Sequence, residues 1–218
     1  MSARAPVRNP TGEQLRAAET ALREADPVIG ELVDRFGRCR IRPADKAPFD
    51  TLIGSIVGQQ LSTKAAATIH ARLMAAAGRN GAADPAALLS LDDDTLRGVG
   101  LSRAKVRYVR AAAQAQQEGE LDWNALARLD DEQAISALIQ LPGVGRWTAE
   151  MLLIFALGRL DVYAVGDLGL RRAVEGLYRK GKPVTDLGLK RITNRWRPYR
   201  SVASWYLWRY LDGETTLW

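Results

Sequence analysis

The chain has 218 residues, enough for one or two domains with a sizeable core, and its 47% hydrophobic content excludes a disordered chain. No apolar run approaches the length of a membrane span, and the arginine-bearing N-terminus has no apolar core, so neither a transmembrane segment nor a secretory signal is expected. The single cysteine, Cys39, excludes an internal disulfide, a four-cysteine zinc site and a cysteine-ligated iron–sulfur cluster; an interior compartment is expected, cytoplasmic and at the nucleoid in a bacterium.

The net charge of +6 is unevenly placed. Residues 1–140 carry 18 Lys and Arg against 18 Asp and Glu, while residues 141–218 carry 13 against 7. A basic second part fits a polyanion partner such as nucleic acid, and equally a solvated helical surface.

Helical periodicity dominates from the start of the chain. Thr11 and Gln14 form a capping box ahead of Leu15, Ala18 and Leu22. Asp26-Pro27 opens a second helix bearing Ile29, Leu32, Val33 and Phe36, closed near Gly37. A third is expected over Phe49–Gly58, and Ser62 caps a fourth with Ile69 and Leu73 on one face. Asp84-Pro85 opens a short fifth, and Ser102 starts a sixth reaching Gln117. The next begins near Asp131, carries Ala134, Ile135, Leu138 and Ile139, and is stopped by Pro142. Further helices are expected over Arg146–Gly158, from Asp167 or Leu168 to Tyr178, over Thr185–Trp196 and over Pro198–Tyr210. No alternating run of useful length appears, so the class is all-α.

Between two of these helices lies Leu141-Pro142-Gly143-Val144-Gly145-Arg146-Trp147-Thr148. Gly143 and Gly145 expose backbone amides with no side chain in front of them, and a helix follows at once. Such amides and the helix dipole hold a phosphate oxygen without reading a base. Arg146 can add charge and Thr148 a hydroxyl or an amide. An ordinary helix–helix turn with a glycine cap explains a lone GxG as well.

This hairpin, with Val165-Gly166-Asp167-Leu168-Gly169-Leu170-Arg171 after a short gap, resembles the helix-hairpin-helix (HhH-GPD) DNA glycosylases, and most the bacterial 3-methyladenine DNA glycosylase II branch with its yeast relatives. Three further segments match in order. Val57-Gly58-Gln59-Gln60-Leu61-Ser62 is similar to the family's lesion-probing segment. Leu96-Arg97-Gly98-Val99-Gly100 with Lys105 is similar to its upstream turn, and Trp196-Arg197-Pro198-Tyr199-Arg200-Ser201 to its C-terminal signature. Together they cover about residues 45–210.

The resemblance implies two helical lobes with a central cleft, lacking the extra N-terminal mixed α/β domain of the large bacterial enzyme. Residues 1–48 are expected to pack with the C-terminal lobe, 49–160 to form the central lobe with the hairpin at 131–158, and 161–218 to carry the acid. It further implies a monomer that hydrolyses the N-glycosidic bond of alkylated purines, 3-methyladenine and 7-methylguanine, in duplex DNA, away from membranes. An oxidised-base or mismatch glycosylase, and a non-catalytic DNA-binding module, are the alternatives.

Breaking an N-glycosidic bond places oxocarbenium character on the sugar, which a fixed carboxylate stabilises. The base must first leave the stack. By resemblance Asp167 is the catalytic acid; read without it, Asp167 is the N-cap of the following helix, and both roles are compatible. Asp161 is the nearest rival carboxylate. Trp147 stands where bifunctional branches carry a lysine nucleophile, so hydrolysis without strand cleavage is expected, and its indole can hold a cationic alkylated purine. Core packing is the other reading of Trp147.

Trp208 and Met151 are further pocket candidates. Trp208 is equally part of an aromatic stripe with Trp205, Tyr206 and Tyr210, and the bacterial relative has an aromatic in place of Met151. Gln60 and Leu61 are the wedge candidates, with Leu61 alternatively core, and Ser62 and Lys64 are phosphate contacts. No cofactor is required. A monovalent cation, Na⁺ or K⁺, on the carbonyls of Ile139, Leu141 and Val144 is implied by the family. His70, the only histidine, sits mid-helix and has no zinc-site companions.

Overall fold

The computed structural model describes residues 10–41 and 47–212. Of the expected first segment, residues 1–9 and 42–46 therefore lie outside the described residues. Among those described are thirteen α-helices, one 3-10 turn and one two-stranded pair. In chain order these are α1 (Gly12–Ala25), α2 (Pro27–Phe36), α3 (Pro48–Gly58), α4 (Thr63–Ala77), β1 (Gly78–Arg79), β2 (Ala82–Ala83), α5 (Pro85–Ser90) and α6 (Asp93–Gly98). There follow α7 (Arg103–Glu118), α8 (Trp123–Arg128), α9 (Asp131–Leu138), α10 (Arg146–Phe155), α11 (Leu168–Arg179), α12 (Asp186–Thr193), the 3-10 turn (Asn194–Trp196) and α13 (Arg200–Asp212). No helix among the described residues is long and apolar enough to cross a membrane.

Most helix starts are written in the side chains. Thr11 and Gln14 form the anticipated reciprocal box, at 3.1 and 2.9 Å. The carboxylates of Asp26, Asp84, Asp92, Asp122 and Asp130 each accept from an amide in the first turn that follows. Ser62, Ser102 and Thr185 do the same with hydroxyls.

Some expectations need correction. The helix from Asp131 ends at Leu138, so Ile139 lies in its cap, and α10 ends at Phe155 rather than Gly158. Thr185–Trp196 divides into α12 and the 3-10 turn. Helices α6 and α8 were not anticipated, because six residues are too few to display a 3.6-residue period. The small β pair, with Gly78 opposite Ala83, was missed for the same reason. Its signal was Asn80-Gly81, both at positive φ (54° and 78°), the pairing a two-residue hairpin turn requires.

The described chain forms two compact units. Residues 47–157 make one, and residues 10–41 with 158–212 make the other. In the first, α3 packs against α4, α7 and α10. Its Leu52, Ile53, Ile56 and Val57 are fully buried, each of the larger ones worth about 1.5–3 kcal/mol relative to exposure. The buried Asp50 carboxylate accepts from the Ala83 amide at 2.5 Å and so ties the β pair to α3.

In the second unit, α13 packs against α1, α2 and α11. Its core holds a buried carboxylate, Asp26. One oxygen caps α2 through the Val28 amide (3.1 Å), and the other accepts from the Tyr178 hydroxyl (2.9 Å) and Trp196 Nε1 (2.8 Å) and pairs with Arg195 (3.1 Å). A second polar cluster surrounds Glu19, which accepts from the Cys39 amide at 2.7 Å and from the Tyr206 hydroxyl at 3.3 Å. Burial, with a smaller contribution from Glu19, pushes the Cys39 thiol up to about 12. The thiolate is the reactive form, so Cys39 is expected to resist a colorimetric disulfide reagent at pH 8 until the protein is unfolded. Rapid stoichiometric labelling of the folded protein would contradict that burial.

Candidate active site

The hairpin is built by turn chemistry. Leu141 N donates to Leu138 O (3.1 Å), Val144 N to Leu141 O (3.0 Å) and Ala149 N to Gly145 O (2.9 Å). Gly143 has φ +82°, and a Cβ there would collide with the Tyr108 ring of α7. Both facts demand glycine. Gly145 is the N-cap of α10, with no side-chain cap bond and open space where a Cβ would stand. The first amides of α10 are thus left without a capping side chain, the arrangement that suits an anion.

The flanking side chains divide. Trp147 is 45% exposed at the start of α10, and Met151, one turn on, is buried. Thr148 is buried too, which leaves its backbone rather than its hydroxyl for an outside partner. The Arg146 guanidinium grips both oxygens of Glu132 at 2.5 and 3.0 Å and reaches the buried Glu150 at 3.1 Å. The hydrogen bond from Arg146 holds the Glu132 carboxyl below the usual range. Arg146 thereby braces α9 against α10, and its charge is shared with two carboxylates.

The end of α3 is tied to this hairpin. Gln59 Nε2 donates to Gly143 O at 2.8 Å, and Lys105 Nζ donates to Val57 O (2.8 Å) and Gln59 O (2.7 Å). Partial burial draws the Lys105 ammonium below the usual lysine range. Gln60 is then held at φ +58°, which costs a non-glycine residue roughly 1–2 kcal/mol. Strain of this kind is kept where the surroundings over-determine it. Gln60 is exposed, Leu61 is 39% exposed rather than core, and Lys64 is exposed. The Ser62 hydroxyl accepts from the Ala65 amide as the cap of α4. Gln59 and Lys105 belong to the matched segments, but their task as struts was not read from the sequence; the unpaired carbonyls at a helix end beside a lysine were the available signal.

In the other unit, Asp167 is the N-cap of α11. Its Oδ1 accepts from Leu170 N at 2.8 Å, and its own amide donates to Ala164 O at 3.0 Å. The carboxylate sits at the positive end of a helix on a loop that is itself anchored. Val162 N donates to Ser201 Oγ (2.9 Å), and Ser201 N to Leu160 O (2.9 Å). Asp161 has a different task. Its two oxygens take Arg200 Nε at 2.7 Å and Nη2 at 3.1 Å, and one of them also Arg197 at 3.3 Å. The rival carboxylate is committed to clamping the C-terminal signature.

Trp208 is buried, as are its neighbours Trp205 and Tyr206, whose rings meet edge-on at 4.9 Å. His70 lies on α4 beside Gly54 of α3. Among the described residues no group of His, Cys, Asp and Glu could hold a metal. Of the three carbonyls implied for a monovalent cation, that of Leu141 already accepts from Val144 N, which leaves its second lone pair for another partner.

Residues 53–204 match the HhH-GPD superfamily of base excision DNA repair proteins. The chain belongs to that superfamily. Within it, the DNA-3-methyladenine glycosylase 1 of Schizosaccharomyces pombe is 34% identical over 198 residues, covering 89% of this chain and 87% of the relative. The structure of an S. pombe 3-methyladenine DNA glycosylase in complex with abasic DNA superposes with a TM-score of 0.81 at 32% identity, over 92% of this chain and all of that one. A DNA-3-methyladenine glycosidase from Bacillus halodurans gives 0.77 at 36% identity, over 88% and 87%. The all-α HhH-GPD glycosylase fold expected from the motifs is therefore the observed one.

Proposed function

We propose that the protein is a monofunctional DNA glycosylase that hydrolyses the N-glycosidic bond of alkylated purines, 3-methyladenine and 7-methylguanine, in duplex DNA. The observation that carries the reading is Asp167, a carboxylate fixed at the head of α11 by the Leu170 amide within the superfamily motif. The relatives' names, 3-methyladenine glycosylases, support the substrate class.

The C1′–N bond breaks with its electron pair going to the base, which neutralises the cationic ring of an alkylated purine. The base therefore leaves without a general acid. The Asp167 carboxylate stabilises the oxocarbenium-like sugar. Water adds at C1′ and its proton passes to the carboxylate and on to solvent, leaving an abasic site. Trp147 has no amine, so no Schiff base forms and the strand stays intact. Its exposed indole offers a stacking and cation–π face for the charged purine; Met151 and Trp208, both buried, are the further candidates to meet the base.

The uncapped amides from Gly143 and Gly145 to Thr148 hold phosphate, with Lys64 beside the Ser62 cap and Arg146 bracing the hairpin. Gln60 and Leu61, exposed on their strained turn, fill the gap left by the flipped nucleotide. The enzyme acts as a monomer.

A panel of duplexes with one lesion each tests this. Release of methylated purines, with no covalent adduct trapped by borohydride, is expected. Release of 8-oxoguanine or a mismatched base with methylpurines untouched overturns the substrate assignment, and a trapped adduct overturns hydrolysis. A non-catalytic binding module would bind the duplexes and release nothing.

A further inference from the structure

The loop that presents Asp167 contains one buried polar group that the mechanism above does not use. Tyr163 is only 6% exposed, and its hydroxyl has no hydrogen-bond partner in the structure. The ring is fixed. It packs against Trp196 with centroids 6.0 Å apart and planes tilted by 58°. The backbone on its N-terminal side is pinned by Ser201, whose hydroxyl accepts from Val162 N and donates to Val162 O (3.2 Å). On its C-terminal side Asp167 N bonds Ala164 O, which folds residues 164–167 into a turn, so that Tyr163 immediately precedes the turn that ends at Asp167.

A buried hydroxyl without a partner is costly, and phenylalanine would occupy the same space without that cost. The tyrosine is therefore informative in this one chain. Burial, then the Asp167 charge, raises the phenol above the ordinary tyrosine range, with Arg171 acting in the opposite direction. The phenol thus lies within electrostatic reach of the carboxylate and stays protonated, a donor throughout the neutral range.

We propose that Tyr163 is a positioning residue for Asp167, its hydroxyl donating toward the carboxylate once the flipped nucleotide is bound. The inference rests on the glycosylase reading of Asp167. A donor on a locked ring fixes the direction of the carboxylate without touching the substrate, in the way outer-shell groups orient reacting ones. The Leu170 amide already holds Oδ1, and Tyr163 would supply a second donor to the same carboxylate.

The test is Tyr163→Phe, read with a duplex carrying a single alkylated purine. The single-turnover rate of base release is expected to fall about tenfold, the loss of one hydrogen bond to a charged group, with the DNA dissociation constant unchanged. The melting temperature should stay the same or rise, because an orphan hydroxyl has been removed from the core. A wild-type rate in the Phe variant overturns the proposal, as does a loss confined to DNA binding or one accompanied by a fall in melting temperature. The parent protein is run alongside. If it releases no base, the glycosylase reading itself fails; if it does and Tyr163→Phe matches it, only the role of Tyr163 fails.

Discussion

Asp167→Asn leaves the fold and DNA binding intact and lowers the rate of base release at least about a hundredfold. Asparagine is an N-cap as good as aspartate, so the bond from Leu170 N, 2.8 Å in the parent, is kept by the amide oxygen. What is lost is the negative charge beside the developing oxocarbenium. The variant thus separates the two readings of this residue: a carboxylate that only starts α11 is replaceable by Asn, and one that stabilises the sugar is not. Melting temperature, duplex binding by anisotropy and single-turnover base release are the three readouts. Near-wild-type release from Asp167→Asn contradicts the assignment.

Asp26→Ala is expected to destabilise the protein by about 3–5 kcal/mol, the range for breaking a buried charged network by removing one partner. At this chain length each kcal/mol moves the melting temperature by roughly 2–4 °C, so a drop of about 6–20 °C follows. The side chain is fully buried and meets four donors: Val28 N, the Tyr178 hydroxyl, Trp196 Nε1 and Arg195. Alanine removes the cap of α2 and strands the indole and phenol donors inside the core. Asp26→Asn, which retains the cap and part of the network, is expected to fall between the two. A shift of only a degree or two for Asp26→Ala, measured by thermal unfolding, would mean that the network contributes nothing beyond an ordinary cap.

These two aspartates mark the limit of what the sequence discloses. Asp26 and Asp167 both read as N-caps, and both are. Capping acts within four residues, so Thr11, Asp26, Ser62, Asp84 and Ser102 could be placed on their helices directly. The second task of Asp26 depends on Tyr178 and Trp196, 152 and 170 residues away, and no local spacing reports such a meeting. Arg146 is similar. A basic residue beside a glycine turn suggests a free cation, whereas Glu132 and Glu150 take up its guanidinium across two helices. Gly143 was legible as a turn glycine, but the Tyr108 ring that also requires it was not. The functional reading rests on four ordered motifs, whereas the bonds of Gln59 to Gly143 and of Lys105 to the end of α3 join residues 84, 48 and 46 positions apart. Helices α6 and α8 and the β pair escaped because periodicity needs more than six residues to declare itself.

The most direct measurement is incubation of the protein with methylated duplex DNA, followed by chromatography of the free bases and an assay for strand breaks. Base excision of alkylated purines by a carboxylate without an amine nucleophile predicts free 3-methyladenine and 7-methylguanine, abasic sites and unbroken strands. DNA that is bound while all its methylated bases stay in place would contradict it.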